Sequence, residues 1–335
     1  KAILWKQGKS PNAELKKFYA EAEGLIGPIE GLAEKITANG PKLTLPTAGL
    51  PLRTRLSNFD ASIYEIEING SEMRKVTRTA GHQWHGHPAF SPNGTKLGWS
   101  SKKDPNSVSS VFIGNTSGEI LTNIAGSYVV LWLNEQTLII RKEGNLFKVR
   151  LDRENEESLI TAGGLPSLSN NRQFLAFTRD NEAIVLDLKL GKETKVTVDP
   201  PARFPNRFSI SDDGKTLAYV GTGDRRGVYV AHLQSGKAEF IADEPGAEYW
   251  PQFSPDGTQL LFTAGDFDVA AGSNLNRIYV ADIDKKTSRP VTPENMHCRD
   301  ASWAPDGKSL AFVGVKKTVV DEYLKPKTPP SKTGR

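Results

Sequence analysis

Residues 81–88 read GHQWHGHP, which puts His82, His85 and His87 within six positions of a chain that has only five histidines. By type, three imidazoles on a curved loop are a transition-metal or acid/base constellation, because zinc takes three or four nitrogen or oxygen ligands aimed at one point. On an extended strand, side-chain alternation would put His85 and His87 on one face and turn His82 away. A fourth ligand would have to come from a distant segment, with His297 or Asp300 as candidates. Three readings stay open: a bound metal ion, a recognition surface, or polar loop histidines.

Other catalytic patterns are missing. There is no GxSxG elbow, P-loop, GxGxxG or HExxH, and no loop with EF-hand spacing. Cys298 is the single cysteine, so neither an intrachain disulfide nor a thiolate cluster can form within the chain. The net charge of +4 is spread along the 335 residues rather than gathered in a stripe, which argues against nucleic acid. No apolar run is long enough to form a bilayer-spanning helix. The chain opens at Lys1 without Met, a start compatible both with a removed export signal and with none.

The elements that position the histidines come from a repeat. FSPNGTKLGWS from Phe90, ISDDGKTLAYV from Ile210, FSPDGTQLLFT from Phe253 and WAPDGKSLAFV from Trp303 match closely. LSNNRQFLAFT from Leu168 keeps the spacing but has Arg172 where the others have Gly, and LWLNEQTLIIR from Leu131 is degenerate. The anchors Leu97, Leu138, Leu175, Leu217, Leu260 and Leu310 lie 41, 37, 42, 43 and 50 residues apart, the period of a four-stranded module. Each Pro-Asp-Gly segment is a tight turn: Pro presets φ, Asp or Asn bonds the backbone, and Gly accepts positive φ. A second hairpin follows five of the six repeats, as in VYVAHLQSGKAEFIA from Val228 and IYVADIDKKTSRPVT from Ile278.

The earliest second hairpin, from Ile63, precedes every first hairpin, and the last first hairpin, from Trp303, has no complete successor. A ring closes if these two ends share one blade, which removes exposed strand edges. The expected fold is therefore all-β: a six-bladed β-propeller with four-stranded blades over residues 53–320, closed by N- and C-terminal strands in one blade. A short N-terminal helical hairpin and linker (residues 1–52) and a Pro/Lys-rich disordered tail (residues 321–335) complete the domain plan. The helices are read from Ser10-Pro11 as a helix start and from Leu15, Phe18, Ala22 and Leu25 at helical spacing.

The FSPDG…L-x-F and IYV-x-D halves resemble the TolB-like propeller repeats of bacteria. That resemblance implies a periplasmic or cell-envelope propeller and a habit of binding partners, in TolB an envelope lipoprotein. It also shows a departure, because TolB carries a sizeable α/β domain ahead of its propeller, whereas some fifty residues precede this one.

In a propeller the connectors into the innermost strands converge at one channel mouth, and loops held by a rigid scaffold are where binding residues collect. Here those connectors hold His82, His85, His87, Arg203, Arg207, Glu248, Tyr249, Trp250, His297, Arg299 and Asp300. Aligning the repeats makes His87, Leu165, Arg207, Trp250 and Asp300 equivalent, with His82 and His85 further out on the rim. The ring they form is either a grip for a peptide, polar ligand or ion, or an internally satisfied network plugging the channel. The leading expectation is a non-enzymatic protein- or peptide-binding module without a cofactor. The alternatives are a metal-dependent carbohydrate lyase or hydrolase with a metal ion at the mouth, and a scaffold subunit that uses the N-terminal helices as a second interface.

Overall fold

The computed structural model describes residues 61–77, 84–104, 106–152, 156–161, 163–202, 207–222, 225–266 and 273–325. The expected N-terminal helices, His82, Arg203 and the tail beyond residue 325 lie outside them. Among the described residues the strands form six four-stranded antiparallel sheets, the blades. The innermost strands are Trp84–Phe90, Tyr128–Asn134, Ser167–Leu168, Ser209–Ile210, Ala247–Phe253 and Met296–Trp303.

Closure is as expected from the offset of the hairpins. Ser62–Glu67 pairs antiparallel with Ser309–Lys316, in register from Ser62↔Gly314 to Glu67↔Ser309. The first strand of the propeller is thus held by its last, and the outer strand Arg74–Lys75 completes that blade.

The core follows from the L-x-aromatic repeat. All six anchor leucines are at most 1% exposed. Two residues on, Trp99, Phe177, Tyr219, Phe262 and Phe312 are buried equally deeply. In four blades this aromatic faces another directly across the strand pair: Trp99 with Phe112, Tyr219 with Tyr229, Phe262 with Tyr279, and Phe312 with Tyr64. Their ring centroids are stacked at 6.0, 5.8, 5.6 and 5.8 Å. Such pairs add about 0.5–1.5 kcal/mol beyond the burial itself.

The turns obey the expected chemistry. Asn93 Oδ1 accepts the Thr95 amide at 2.9 Å, Asp256 Oδ1 that of Thr258 at 3.0 Å, and Asp306 Oδ1 that of Lys308 at 3.0 Å. The turn glycines Gly94, Gly214, Gly257 and Gly307 have φ between +69° and +75°. Asp212 and Asp213 fall in such a turn, where Asp213 caps the Lys215 amide and Asp212 accepts the amide of Asn171 from the neighbouring blade.

The C-terminal boundary differs from the expectation. Lys317–Leu324 is a helix running directly out of the last strand, so order continues past residue 320. Val320 is fully buried in a cluster with Ala61, Ile63 and Val76, against which Leu324 also packs. These two residues, one helical turn apart, clip the helix onto the shared blade. Its N-terminus carries no side-chain cap, so the sequence offered no start signal to read.

Candidate binding site at the channel mouth

The inner strands begin with a repeated irregularity. Ladder pairing slips between Gly86 and Ala89, Tyr128 and Val130, Tyr249 and Gln252, and Arg299 and Ser302. Within each slip sits one residue with positive φ: His87 at 49°, Val129 at 69°, Trp250 at 53° and Asp300 at 50°. Each lies three residues before an aromatic at or near the end of its inner strand, namely Phe90, Trp132, Phe253 and Trp303. A bulge re-aims a side chain that regular pleating would bury within the blade. Four non-glycine residues in this conformation at equivalent positions are a strained feature that the surrounding structure must hold in place.

Three of these bulge residues and Arg207 meet. Arg207 Nη2 lies 3.0 Å from His87 Nδ1, and His87 Nε2 lies 2.6 Å from Tyr128 Oη. A guanidinium can only donate, so Nδ1 is the acceptor and the ring proton sits on Nε2, which donates to Tyr128. The His87 backbone N–H donates to Asp300 Oδ2 at 3.4 Å, and Asp300 also accepts from Arg299 Nη1. Arg299 Nη2 donates to the carbonyl of His85 at 3.3 Å. The Arg207 guanidinium lies 5.8 Å from the Trp250 ring centre, within cation–π range.

The electrostatics follow from burial and from an excess of cations. Burial lowers His87 to a pKa of about 3; Asp300 opposes this while Arg207, Arg299 and Arg141 add to it. The ring is therefore neutral near neutral pH. Burial alone would raise the Asp300 carboxyl, but Arg299, His87 and Arg207 outweigh it and hold it below the usual range. Burial lowers Arg207 and raises Tyr128. Three guanidinium groups thus act on a cluster whose carboxylate is Asp300.

The other candidates are placed differently. His85 is not on the rim: it is 2% exposed inside the inner strand, paired with Ser101, and its carbonyl joins the network. The bulge at His87 breaks the alternation that would have set the two histidines on one face. His297 is fully buried, with Nδ1 accepting the Asn276 amide at 2.9 Å and a pKa lowered to about 3 by burial and then Arg299. Glu248 is also buried; it accepts the Glu244 amide at 3.1 Å and lies 3.5 Å from Arg226 Nε, and its carboxyl is raised by burial. Tyr249 is half-buried beside Trp250, with ring centres 6.2 Å apart. Tyr128, Val129 and Arg141 escaped the sequence reading because they belong to the degenerate repeat. The three-residue spacing back from Trp132 was the signal that marked Val129.

As a metal site the cluster is unfavourable. Both ring nitrogens of His87 are engaged, and a cation would meet three guanidinium groups. Among the described residues no group of three His, Cys, Asp or Glu side chains is arranged to hold an ion.

Comparison with known proteins places the fold. Residues 205–319 match the family model of the TolB beta propeller domain. A TolB structure from Agrobacterium tumefaciens superposes with a TM-score of 0.54 at 18% identity, covering 76% of this chain and 97% of that one. A chain of a nidogen/laminin complex gives a TM-score of 0.51 at 11% identity, covering 76% and 98%. In sequence, 121 residues are 31% identical to dipeptidyl-peptidase 5 of Porphyromonas gingivalis, which is 33% of this chain and 18% of that protein. A 63-residue stretch is 30% identical to the Bacillus subtilis peptidase YuxL, 19% of this chain and 10% of that protein. The chain thus spans less than a fifth of the length of these curated relatives.

Proposed function

The chain is a TolB-like six-bladed β-propeller, and on that premise we propose that it is a binding module of the bacterial cell envelope. It takes an acidic segment of a protein or peptide partner at the channel mouth. The observation that carries this reading is the imbalance at the mouth: among the described residues, Arg141, Arg207 and Arg299 all act on a neutral His87, and Asp300 is the one carboxylate that does. A carboxylate-bearing segment supplies the missing negative charge, and guanidinium groups suit it because they bind carboxylates bidentately. Half-buried Trp250 and Tyr249 offer the aromatic contact that binding hot spots favour.

The test is capture from an envelope extract by the full chain and by an Arg207→Gln/Trp250→Ala variant. The reading expects a partner that the variant loses and that excess acidic peptide displaces. Equal capture by both proteins rejects this face.

The identity to dipeptidyl-peptidase 5 supports a second reading, in which the propeller belongs to a longer peptidase and the mouth admits peptides to a catalytic centre elsewhere. Release of dipeptides from a fluorogenic substrate by a longer form of the protein supports this second reading. Its absence rejects it.

A further inference from the structure

At the other end of the same inner strands, where the Pro-Asp-Gly turns converge on the propeller axis, lies a cavity of about 320 Å³. That volume is at the small end of ligand pockets, too small for a folded partner. Half-buried Ala89, Leu131 and Leu168 and the ring of Pro305 supply apolar wall, and Asn170, Asn171, Asp212, Gln252, Arg172 and Ser302 supply polar wall, so the lining is mixed. The mouth cluster contributes none of these residues.

Arg172 is the residue that breaks the repeat. Its turn is otherwise built like the others: Ser169 O accepts the Arg172 amide at 2.9 Å, Asn171 Oδ1 accepts the Gln173 amide at 3.0 Å, and Ser169 Oγ accepts the Phe174 amide at 3.0 Å. The four matching turns hold Gly at this position with φ of +69° to +75°, and Arg172 adopts the same conformation at φ +63°. A long cationic side chain is thus carried where the backbone favours glycine, and it lines the axial cavity. Its Nη1 donates to the carbonyl of Asn170, while Nε is buried with no hydrogen-bond partner. Burial lowers its pKa, opposed by Asp212 and Glu135, yet no carboxylate among the described residues lies within ion-pair distance. The Asp212 carboxylate instead accepts the Asn171 amide at 2.8 Å, and Glu135 accepts the Asn93 amide at 2.8 Å. Across the cavity, Ser302 is 7% exposed and its hydroxyl has no hydrogen-bond partner.

We propose that this turn-side cavity is a second binding site, which takes a small organic carboxylate with an apolar body, its head group on Arg172 and Ser302. A guanidinium and a hydroxyl are the donors a carboxylate needs. One cation, with the Asp212 carboxylate also in the lining, matches a monoanion rather than a dianionic phosphate, and Ala89, Leu131, Leu168 and Pro305 offer contact to a short aliphatic group. The site is independent of the channel-mouth reading.

Isothermal titration of the full chain with hexanoate, hexanamide and hexyl phosphate tests it. The acid is expected to bind at least ten-fold more tightly than the amide or the phosphate ester. Arg172→Gly, which installs the residue the other turns use, should abolish the preference while leaving the circular dichroism spectrum intact. Ser302→Ala should weaken hexanoate binding, whereas Lys195→Gln, on an exposed outer strand, should leave it unchanged. A tripeptide with a free C-terminus and its amide separate two sources of the same chemistry: a tighter peptide acid marks a chain terminus, and a tighter hexanoate marks a free acid. The proposal is overturned if acid and amide bind alike, if hexyl phosphate binds more tightly, if no probe binds, or if Arg172→Gly binds hexanoate as the parent does.

Discussion

His87 and His297 are both buried as neutral rings, with pKa values of about 3 against the ordinary 6.5 of a solvated imidazole. The sign of the pH dependence follows. As pH falls below 6.5 the unfolded chain takes up protons that the folded chain refuses, so stability present above 6.5 is lost progressively toward pH 3. The slope is about 1.4 kcal/mol per pH unit for each histidine. Urea unfolding at pH 7 and pH 5 should show a clear loss of stability, and His87→Gln should reduce the difference. An unchanged midpoint would contradict the assignment of neutral buried rings. Arg172 makes a separate residue-scale prediction. Replacing it with Gly removes a left-handed conformation unfavourable to any residue with a Cβ, a gain of roughly 1 kcal/mol. Thermal unfolding should register this as a higher midpoint, and a lower one would show that Arg172 holds its turn together.

At the scale of elements, the shared blade is the clasp of the ring. Phe312 is fully buried and stacked on Tyr64 of the first strand, so Phe312→Ala should cost about 3–5 kcal/mol. The equivalent truncation of half-buried Phe112, which stacks on Trp99 in an unshared blade, should cost less. Chemical denaturation of the two variants measures the difference, and equal losses would argue against a special role for closure. The hairpins and the clasp were legible in the sequence because turn chemistry is local: Pro, Asp and Gly are each required by the backbone at that position. The L-x-aromatic spacing likewise marks the buried face. The bulges at His87, Val129, Trp250 and Asp300 were not legible as bulges, since no residue type is common to them and the conformation is imposed by neighbouring blades. The alignment nevertheless brought His87, Arg207, Trp250 and Asp300 to equivalent places, because repeat spacing survives the bulge. Misplacing His85 on the rim came from treating the connector as open loop, when its ladder to Ser101 carries it into the blade. The C-terminal helix was missed because what holds it is tertiary burial of Val320, not propensity or a cap.

For the molecule as a whole, the two ends of the channel differ in chemistry. One mouth gathers guanidinium groups around a neutral imidazole and an aromatic pair, whereas the turn side holds a small cavity of mixed lining with one arginine. An acidic partner at the first should bind with a strong salt dependence, because its attraction to half-buried arginines at a rim is partly screened. The most direct test of this account is fluorescence titration of the full chain with a labelled glutamate-rich peptide and its glutamine-rich counterpart, at low and physiological salt. The account predicts that the acidic peptide binds at least ten-fold more tightly, that salt narrows the gap, and that Arg207→Gln/Trp250→Ala abolishes it. Equal binding of the two peptides, or a preference unaltered in the double variant, would contradict it.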